Sequence, residues 1–410
     1  MTLHSTPSVP GATETHRRRA PYLTPDRRTA TLPPVLNRFD DYPIHQTPEP
    51  IAHPASSDPN VYDRTWFNAY NDDGTRYFGF GIAVYPHRQI LDAHFSCLES
   101  GGQQHCIYAS RRAPQERTDQ SVGPIRLEIV EPLRTARIII EDNDTGISAD
   151  LTFTARTSAI QEARQVLWSR QRRSMDATRF AQFGRWSGTV SHPDGEFTVD
   201  EQTWRGTKDR SWGVRGVGER VPMGAPPQHL PSFFFLWAPL QWDDHVTHAV
   251  FFDGPNGEAI VREGLTSPLY ASGTEIPEEL DAVATHMATA LHRVEYVPGT
   301  RWANRAELDL IDVYGQTRTI TLEPQLRFQF KGLGYGHPSW NQGTWKGELA
   351  VEGERFDPLE LDPSAPENIH VQQVVKATDD QGRTGVGALE QIVIGPHTPS
   401  GLTGLFDGAS

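Results

Sequence analysis

From Tyr62 onward, turn-forming residues interrupt the chain at short intervals, and the segments between them are strand-like in length and residue type. Asp72-Asp73-Gly74 separates Trp66-Phe67-Asn68-Ala69-Tyr70 from Tyr77-Phe78-Gly79-Phe80-Gly81-Ile82, as a hairpin turn would. Residues 126–130, 136–140 and 148–155 read as three successive strands, and 307–313 turns at Tyr314-Gly315-Gln316 into 318–322 with two-residue alternation. Alternation of this period gives each strand one wet and one buried face. Helical patterns are few. Residues 159–174 carry Ile160, Ala163, Val166 and Leu167, and 277–284 opens with a proline suited to a first helical position, so one or two short helices are expected. The fold class is therefore all-β, built of antiparallel barrels or sandwiches rather than a parallel α/β sheet.

A chain of 410 residues exceeds what one hydrophobic core usually serves, which implies two domains. Residues 1–57, rich in Pro, Thr, Ser and Arg without apolar periodicity, read as an extended or disordered arm. The turn-rich run Val221-Pro222-Met223-Gly224-Ala225-Pro226-Pro227 places a boundary that divides the remainder into 58–221 and 222–410. A net charge of −14 would repel a phosphate backbone, so nucleic acid is excluded as a partner. No segment approaches the run of about 18 apolar residues that a membrane span needs. Arg17-Arg18-Arg19 is followed by Ala20-Pro21-Tyr22-Leu23-Thr24-Pro25 where a secretory signal would carry an apolar stretch, so a cytoplasmic protein is expected. Cys97 and Cys106 flank Gly101-Gly102, and reduced structural thiols are expected over a cross-hairpin disulfide. The sequence does not specify the oligomeric state.

Three stretches concentrate polar and aromatic side chains. In the first, residues 204–216, Asp209 lies between Lys208 and Arg210 with Trp204, Trp212 and Arg215 nearby. Burial against the indoles would raise its pKa toward the range a proton donor needs, whereas pairing with an arginine would lower it and make the carboxylate structural. In the second, residues 332–345, glycines permit tight turns that can bring Tyr335, His337 and Trp340 together at a barrel mouth. The bland alternative for His337 is a hydrogen-bonded structural residue. In the third, residues 385–397, Glu390 and Gln391 interrupt a late strand, so one of the pair points inward. An inward Glu390 requires a partner, in a site or in a structural ion pair. Other chemistries lack their signatures. His245 and His248, three apart on a strand, face opposite ways and do not make a metal pair, no glycine-rich phosphate loop follows a strand, and no Gly-x-Ser-x-Gly elbow is present. No metal or cofactor is expected.

At Thr207-Lys208-Asp209-Arg210-Ser211-Trp212-Gly213 and Gly334-Tyr335-Gly336-His337-Pro338-Ser339-Trp340 the chain resembles the AttH-like and carotenoid 1,2-hydratase-like group, over roughly residues 60–408. The resemblance implies two lipocalin-like, calycin-type β-barrel domains and an apolar small-molecule ligand. It also implies that Asp209 matches an acid that protonates an isoprenoid double bond, although Thr207 replaces an aromatic residue of that pattern. The expectation is a lyase, hydratase or isomerase acting on an isoprenoid- or polyketide-like ligand. Asp209 would be the acid, with His337 or Glu390 managing water or deprotonation. Trp212 and Trp340 would flank developing positive charge, and Trp204, Arg215, Tyr335 and Gln391 would bind ligand. A non-catalytic carrier of a hydrophobic ligand, and a cyclase of the Diels-Alder type on the same fold, are the alternatives.

Overall fold

Two-residue alternation makes every strand two-faced, and a sheet of such strands curls until one face is closed off from water. The computed structural model describes residues 38–410 except 170, 220, 222, 223, 226, 227, 229 and 278–283. Within them the strands form two antiparallel sheets, one of 14 strands and one of nine. The first curls into a nearly closed barrel. Its centre is the strand Arg172–His192, which pairs with Ser148–Ala155 on one side and Trp204–Arg215 on the other. The order continues through Val61–Asn71, Arg76–Tyr85, Ile90–Glu99 and Gln104–Arg112. Arg111 Nε donates to the carbonyl of Ser121 at 2.6 Å, tying the far edge back toward the start. The second sheet is a half-barrel that includes Phe233–Gln241, His245–Asp253, Val371–Asp379 and Thr384–Ile394. This is the all-β, two-barrel, lipocalin-like architecture expected from the sequence. One strand crosses between the halves of the chain: Leu349–Phe356 adds antiparallel to Gln104–Arg112 at the edge of the first sheet.

The expected helix at 159–174 does not form. Ile160–Gln161 and Gln165–Ser169 are short strands hydrogen-bonded to Arg172–His192, whose backbone supplies donors and acceptors that a helix would have drawn from itself. Ile160 is buried against Phe183, Val246 and Leu265, so the spacing that reads as a helical stripe is packing by one residue of an extended segment. The helix expected at 277–284, the boundary at 221–227 and the arm at 1–57 fall wholly or partly outside the described residues. Of the arm, residues 38–57 are described, and they lie against the first barrel: Arg38 N donates to Glu116 and Arg117 Nη2 donates to the carbonyl of Ala52.

Parity along the strands sends one set of residues into each barrel and the other set into a shared layer. Phe67, Phe78, Phe153 and Trp186 fill the first barrel, and Leu236, Phe251, Leu308 and Leu389 fill the second. Trp66, Tyr77, Trp237, Phe328 and Phe330 are buried where the sheets face each other. There Trp66 meets Trp237 edge-on at 5.8 Å and Phe330 in a stack at 5.8 Å, and Tyr77 packs on Phe328 at 4.2 Å. Each such aromatic contributes roughly 1.5–3 kcal/mol when withdrawn from water, which makes this layer a core of its own. Two of its polar groups are paired across the sheets: Asn68 Nδ2 and Tyr77 Oη both donate to Gln372 Oε1, at 2.7 and 2.6 Å. Gly206 permits a close strand contact, since a Cβ there would stand 2.1 Å from the Asn68 carbonyl.

Cys97 points into the first barrel and Cys106 to the opposite face, against Tyr108 and Trp340; both are free thiols. No helix among the described residues is long and apolar enough to cross a membrane.

Candidate active site between the two sheets

The aromatic layer does not close completely. It leaves a cavity of about 440 Å³. Trp66, Phe233, Phe235, Trp237 and Phe252 make its apolar wall, and Asp209, Arg179, Arg215, Tyr335, His370 and Glu390 make its polar wall. Residues far apart in the chain meet here because odd-numbered residues of Trp204–Arg215 face the second sheet and Glu390 faces back from Thr384–Ile394.

Asp209 sits opposite Trp66 on one neighbouring strand and Ala181 on the other. Its Oδ1 is buried without a hydrogen-bond partner, and Oδ2 lies 3.9 Å from Arg179 Nη2. Burial drives the carboxyl pKa up, Arg179 opposes the rise, Glu162 and Glu390 reinforce it, and the result is about 6. The side chain keeps 14% exposure, and the surface it keeps is cavity wall.

Arg179 bridges this group to a fully buried second carboxylate. Its Nη1 is 3.6 Å from Glu162 Oε2, while Glu162 Oε1 accepts from His248 Nε2 at 3.0 Å and from the Trp237 indole N–H at 3.1 Å. Burial pushes Glu162 up, but Arg179, His248 and Trp237 outweigh it and hold this carboxyl below its ordinary value. Two carboxylates sharing one arginine are thus set apart: Glu162 is the ionised anchor and Asp209 the group held ready to carry a proton. Across the cavity Glu390 accepts from His370 Nε2 at 2.8 Å and Gln372 Nε2 at 3.1 Å. His370 stacks on Phe330 at 4.2 Å and meets the Tyr335 ring at 4.9 Å.

Of the nine site residues expected from the sequence, Asp209, Arg215, Tyr335 and Glu390 line this one cavity, and five lie elsewhere. Trp204 is in the core of the first barrel, stacked on Phe197 at 5.5 Å. Trp212, 41% exposed, stands at the mouth of that barrel, in a hollow of about 570 Å³ where Arg210 is ion-paired with Asp63. Both are even-numbered residues on the strand that carries Asp209 and so face the opposite way. His337 and Trp340 lie beyond the turn made by Gly334 and Gly336, which adopt φ of 76° and 66° and carry the loop to the far side, leaving only Tyr335 in the cavity. There His337 Nδ1 accepts from the Trp340 and Ser339 amides at 2.8 and 3.1 Å and Nε2 donates to Glu354 at 3.1 Å, a loop-fixing role. Trp340 stacks on Tyr108 at 5.6 Å and donates to Glu352. Gln391, next to Glu390 but on the opposite face, is sealed in the second barrel, donating to Gln373 and accepting from the Ala303 amide.

Sequence reasoning missed Trp66, Glu162, Arg179, Trp237, His248 and His370. Cross-strand register puts Trp66 beside Asp209, and nothing in the linear sequence brings Glu162 to Arg179 and His248. One signal is in the sequence: Glu162 is the acidic residue among the apolar positions of 159–174, and a buried carboxylate needs a basic partner. His245 and His248 do face opposite ways, His245 stacking on Trp242 at 5.6 Å while His248 reaches Glu162. Among the described residues no group of His, Cys, Asp and Glu is arranged to hold a metal ion.

The chain shares its fold with an AttH protein from Nitrosomonas europaea, at 13% identity and a TM-score of 0.50, over 86% of this chain and 98% of that one. Kievitone hydratase from Nectria haematococca aligns at 12% identity and a TM-score of 0.48 over 80% and 88% of the two chains. CghA, in a structure with Sch210972, aligns at 14% identity and a TM-score of 0.45 over 82% and 89%. The AttH-like resemblance read from the sequence is matched by the fold, and at these identities the likeness speaks to fold alone. Residues 36–403 match the model of a family of unknown function, DUF8625. No curated relative matches the chain in sequence.

Proposed function

Because the chain belongs to the DUF8625 family, a family of unknown function, its activity has to be read from its own cavity, and we propose an enzyme that protonates a carbon–carbon double bond of an apolar small molecule. The observation that carries this reading is Asp209: a buried carboxyl with one oxygen unpartnered and a pKa raised to about 6, set beside Trp66 in an aromatic cavity. A carboxylic acid with a pKa near working pH is the group best placed to deliver a proton, and an apolar wall binds the alkene while excluding bulk water.

Proton transfer from Asp209 to one alkene carbon leaves Asp209 as carboxylate and the other carbon electron-deficient. The faces of Trp66 and Trp237 support that developing charge. Arg179 then stabilises the carboxylate that forms. Two ends of the reaction are open from this point. Water adds to the cation and gives up a proton, which makes a hydratase, or the cation loses a different proton and the double bond moves, which makes an isomerase. The Glu390–His370 pair is the group in the cavity suited to accept that proton. In this assignment Trp66 and Trp237 take the place expected for Trp212 and Trp340, and His370 that expected for His337.

The test begins with mass spectrometry of whatever apolar compound copurifies with the protein. That compound is then incubated in D2O with wild-type protein and with Asp209→Asn. Deuterium entering a carbon position with wild type and not with the variant, both still binding the compound, is the expected result. Equal incorporation by the variant would remove Asp209 from the role of acid. Binding by both with no incorporation or turnover by either would favour a carrier.

A further inference from the structure

We infer that the ligand of this cavity is an amphiphile whose acidic oxygen group, a carboxylate or ionised enol, is held by Arg215 while its apolar body lies against the aromatic wall. The inference rests on the cavity being the ligand site, and not on Asp209 acting as an acid.

The argument starts from charge balance. A guanidinium out of bulk water normally finds a carboxylate. Arg179, on the same wall, has two, Glu162 and Asp209. Arg215 has none within ion-pair distance among the described residues. Its Nη2 donates to the neutral side chain of Gln342 at 2.7 Å, and its Nε is buried without a partner. It is held instead by aromatic rings, 4.6 Å from the centre of Tyr62 and 5.6 Å from that of Tyr335.

Arg64 makes the same point independently. It is 1% exposed, and none of its three guanidinium nitrogens has a hydrogen-bond partner. It lies over the Tyr335 ring at 5.0 Å, so Tyr335 separates two cations, neither within ion-pair distance of a carboxylate, that share the field of one buried carboxyl, Asp92. Side-chain packing alone does not call for a second such cation there. Two guanidinium groups against the one carboxyl of Asp92 leave positive charge where an anionic ligand oxygen would be taken up, and of these groups Arg215 is the one that lines the cavity. From Arg215 the polar wall continues through Tyr335 and His370 to Glu390, whose carboxylate would repel an anion, so the acidic group is directed to the Arg215 side.

The experiment uses matched probes of one chain length, dodecanoate, dodecanol and dodecylamine, titrated calorimetrically into the full chain. A charge-assisted hydrogen bond to a guanidinium predicts that dodecanoate binds at least about tenfold more tightly than dodecanol, with dodecylamine weakest. In Arg215→Met, dodecanol affinity should hold and the preference for dodecanoate should vanish, and Arg215→Lys should keep part of it. Retained dodecanol binding certifies that the cavity is intact. Were Arg215→Met not to fold, the wild-type ranking and the lysine variant would decide. Equal binding of dodecanoate and dodecanol to wild type, or a preference that survives Arg215→Met, would overturn the inference. Asp209→Asn should preserve the preference, so loss of turnover in that variant leaves this result untouched, and the two readings fail separately.

Discussion

Replacing Asp209 with asparagine removes a group whose ionisation works against the fold, so the substitution should stabilise the protein at neutral and alkaline pH. The carboxyl titrates at about 6 in the folded chain against an ordinary value of 3.8. The folded state therefore takes up a proton between about pH 4 and pH 6 that the unfolded chain does not hold. The contribution of Asp209 to stability is fully present below about pH 4 and is lost as pH rises through about 6. At 1.36 kcal/mol per pH unit the gap corresponds to about 3 kcal/mol, a net figure that already contains the opposing pull of Arg179. Urea unfolding of wild type and Asp209→Asn at intervals from pH 4 to pH 8 measures the difference directly. The variant should match wild type near pH 4, pull ahead between pH 4 and 6, and hold a constant lead of up to about 3 kcal/mol above that. A variant that is less stable than wild type at pH 8, or a difference that does not change with pH, would mean that Asp209 is an ordinary ionised partner of Arg179. The acid assignment would then lose its physical basis.

Two further substitutions separate cavity from scaffold. His337→Ala removes the acceptor of two loop amides and the donor to Glu354, and should cost about 1–3 kcal/mol in urea unfolding while leaving the affinity for the copurifying ligand unchanged; a selective loss of binding would return His337 to the site. Trp212→Ala, at the mouth of the first barrel, should change that affinity by no more than about twofold. Trp66→Ala, which opens the apolar wall beside Asp209, should weaken it by tenfold or more, and the reverse ranking in calorimetric titration would place the ligand in the other hollow.

Strand periodicity and turn residues carried most of the architecture in the linear sequence, because both depend on neighbours a few positions away. The hairpin at Asp72-Asp73-Gly74 joins Val61–Asn71 to Arg76–Tyr85, as its residues require. The cavity was legible only in part. Asp209, Glu390, Arg215 and Tyr335 stand out as polar or aromatic residues in strand-like or glycine-rich surroundings, and all four line it. Trp204 and Trp212 are close to Asp209 in sequence, but their separations of five and three residues are odd and place them on the other face of the strand. His337 and Trp340 are a different matter. Their direction depends on two left-handed glycines whose φ no spacing rule supplies. Glu162, Arg179 and His248 come together through contacts between strands far apart in the chain, and a hydrophobic pattern records burial but not which buried neighbour is met.

The strand Leu349–Phe356 changes how the chain must be assembled. During synthesis, the rim formed by Gln104–Arg112 emerges more than two hundred residues before the segment that will cover it, and in that interval it is an open ladder of unpaired amides and carbonyls. Growth of the second sheet therefore finishes the first. A gene cut between the halves would yield an early product with a raw border prone to sticking to its own copies, and a late product carrying a ribbon with nothing to join.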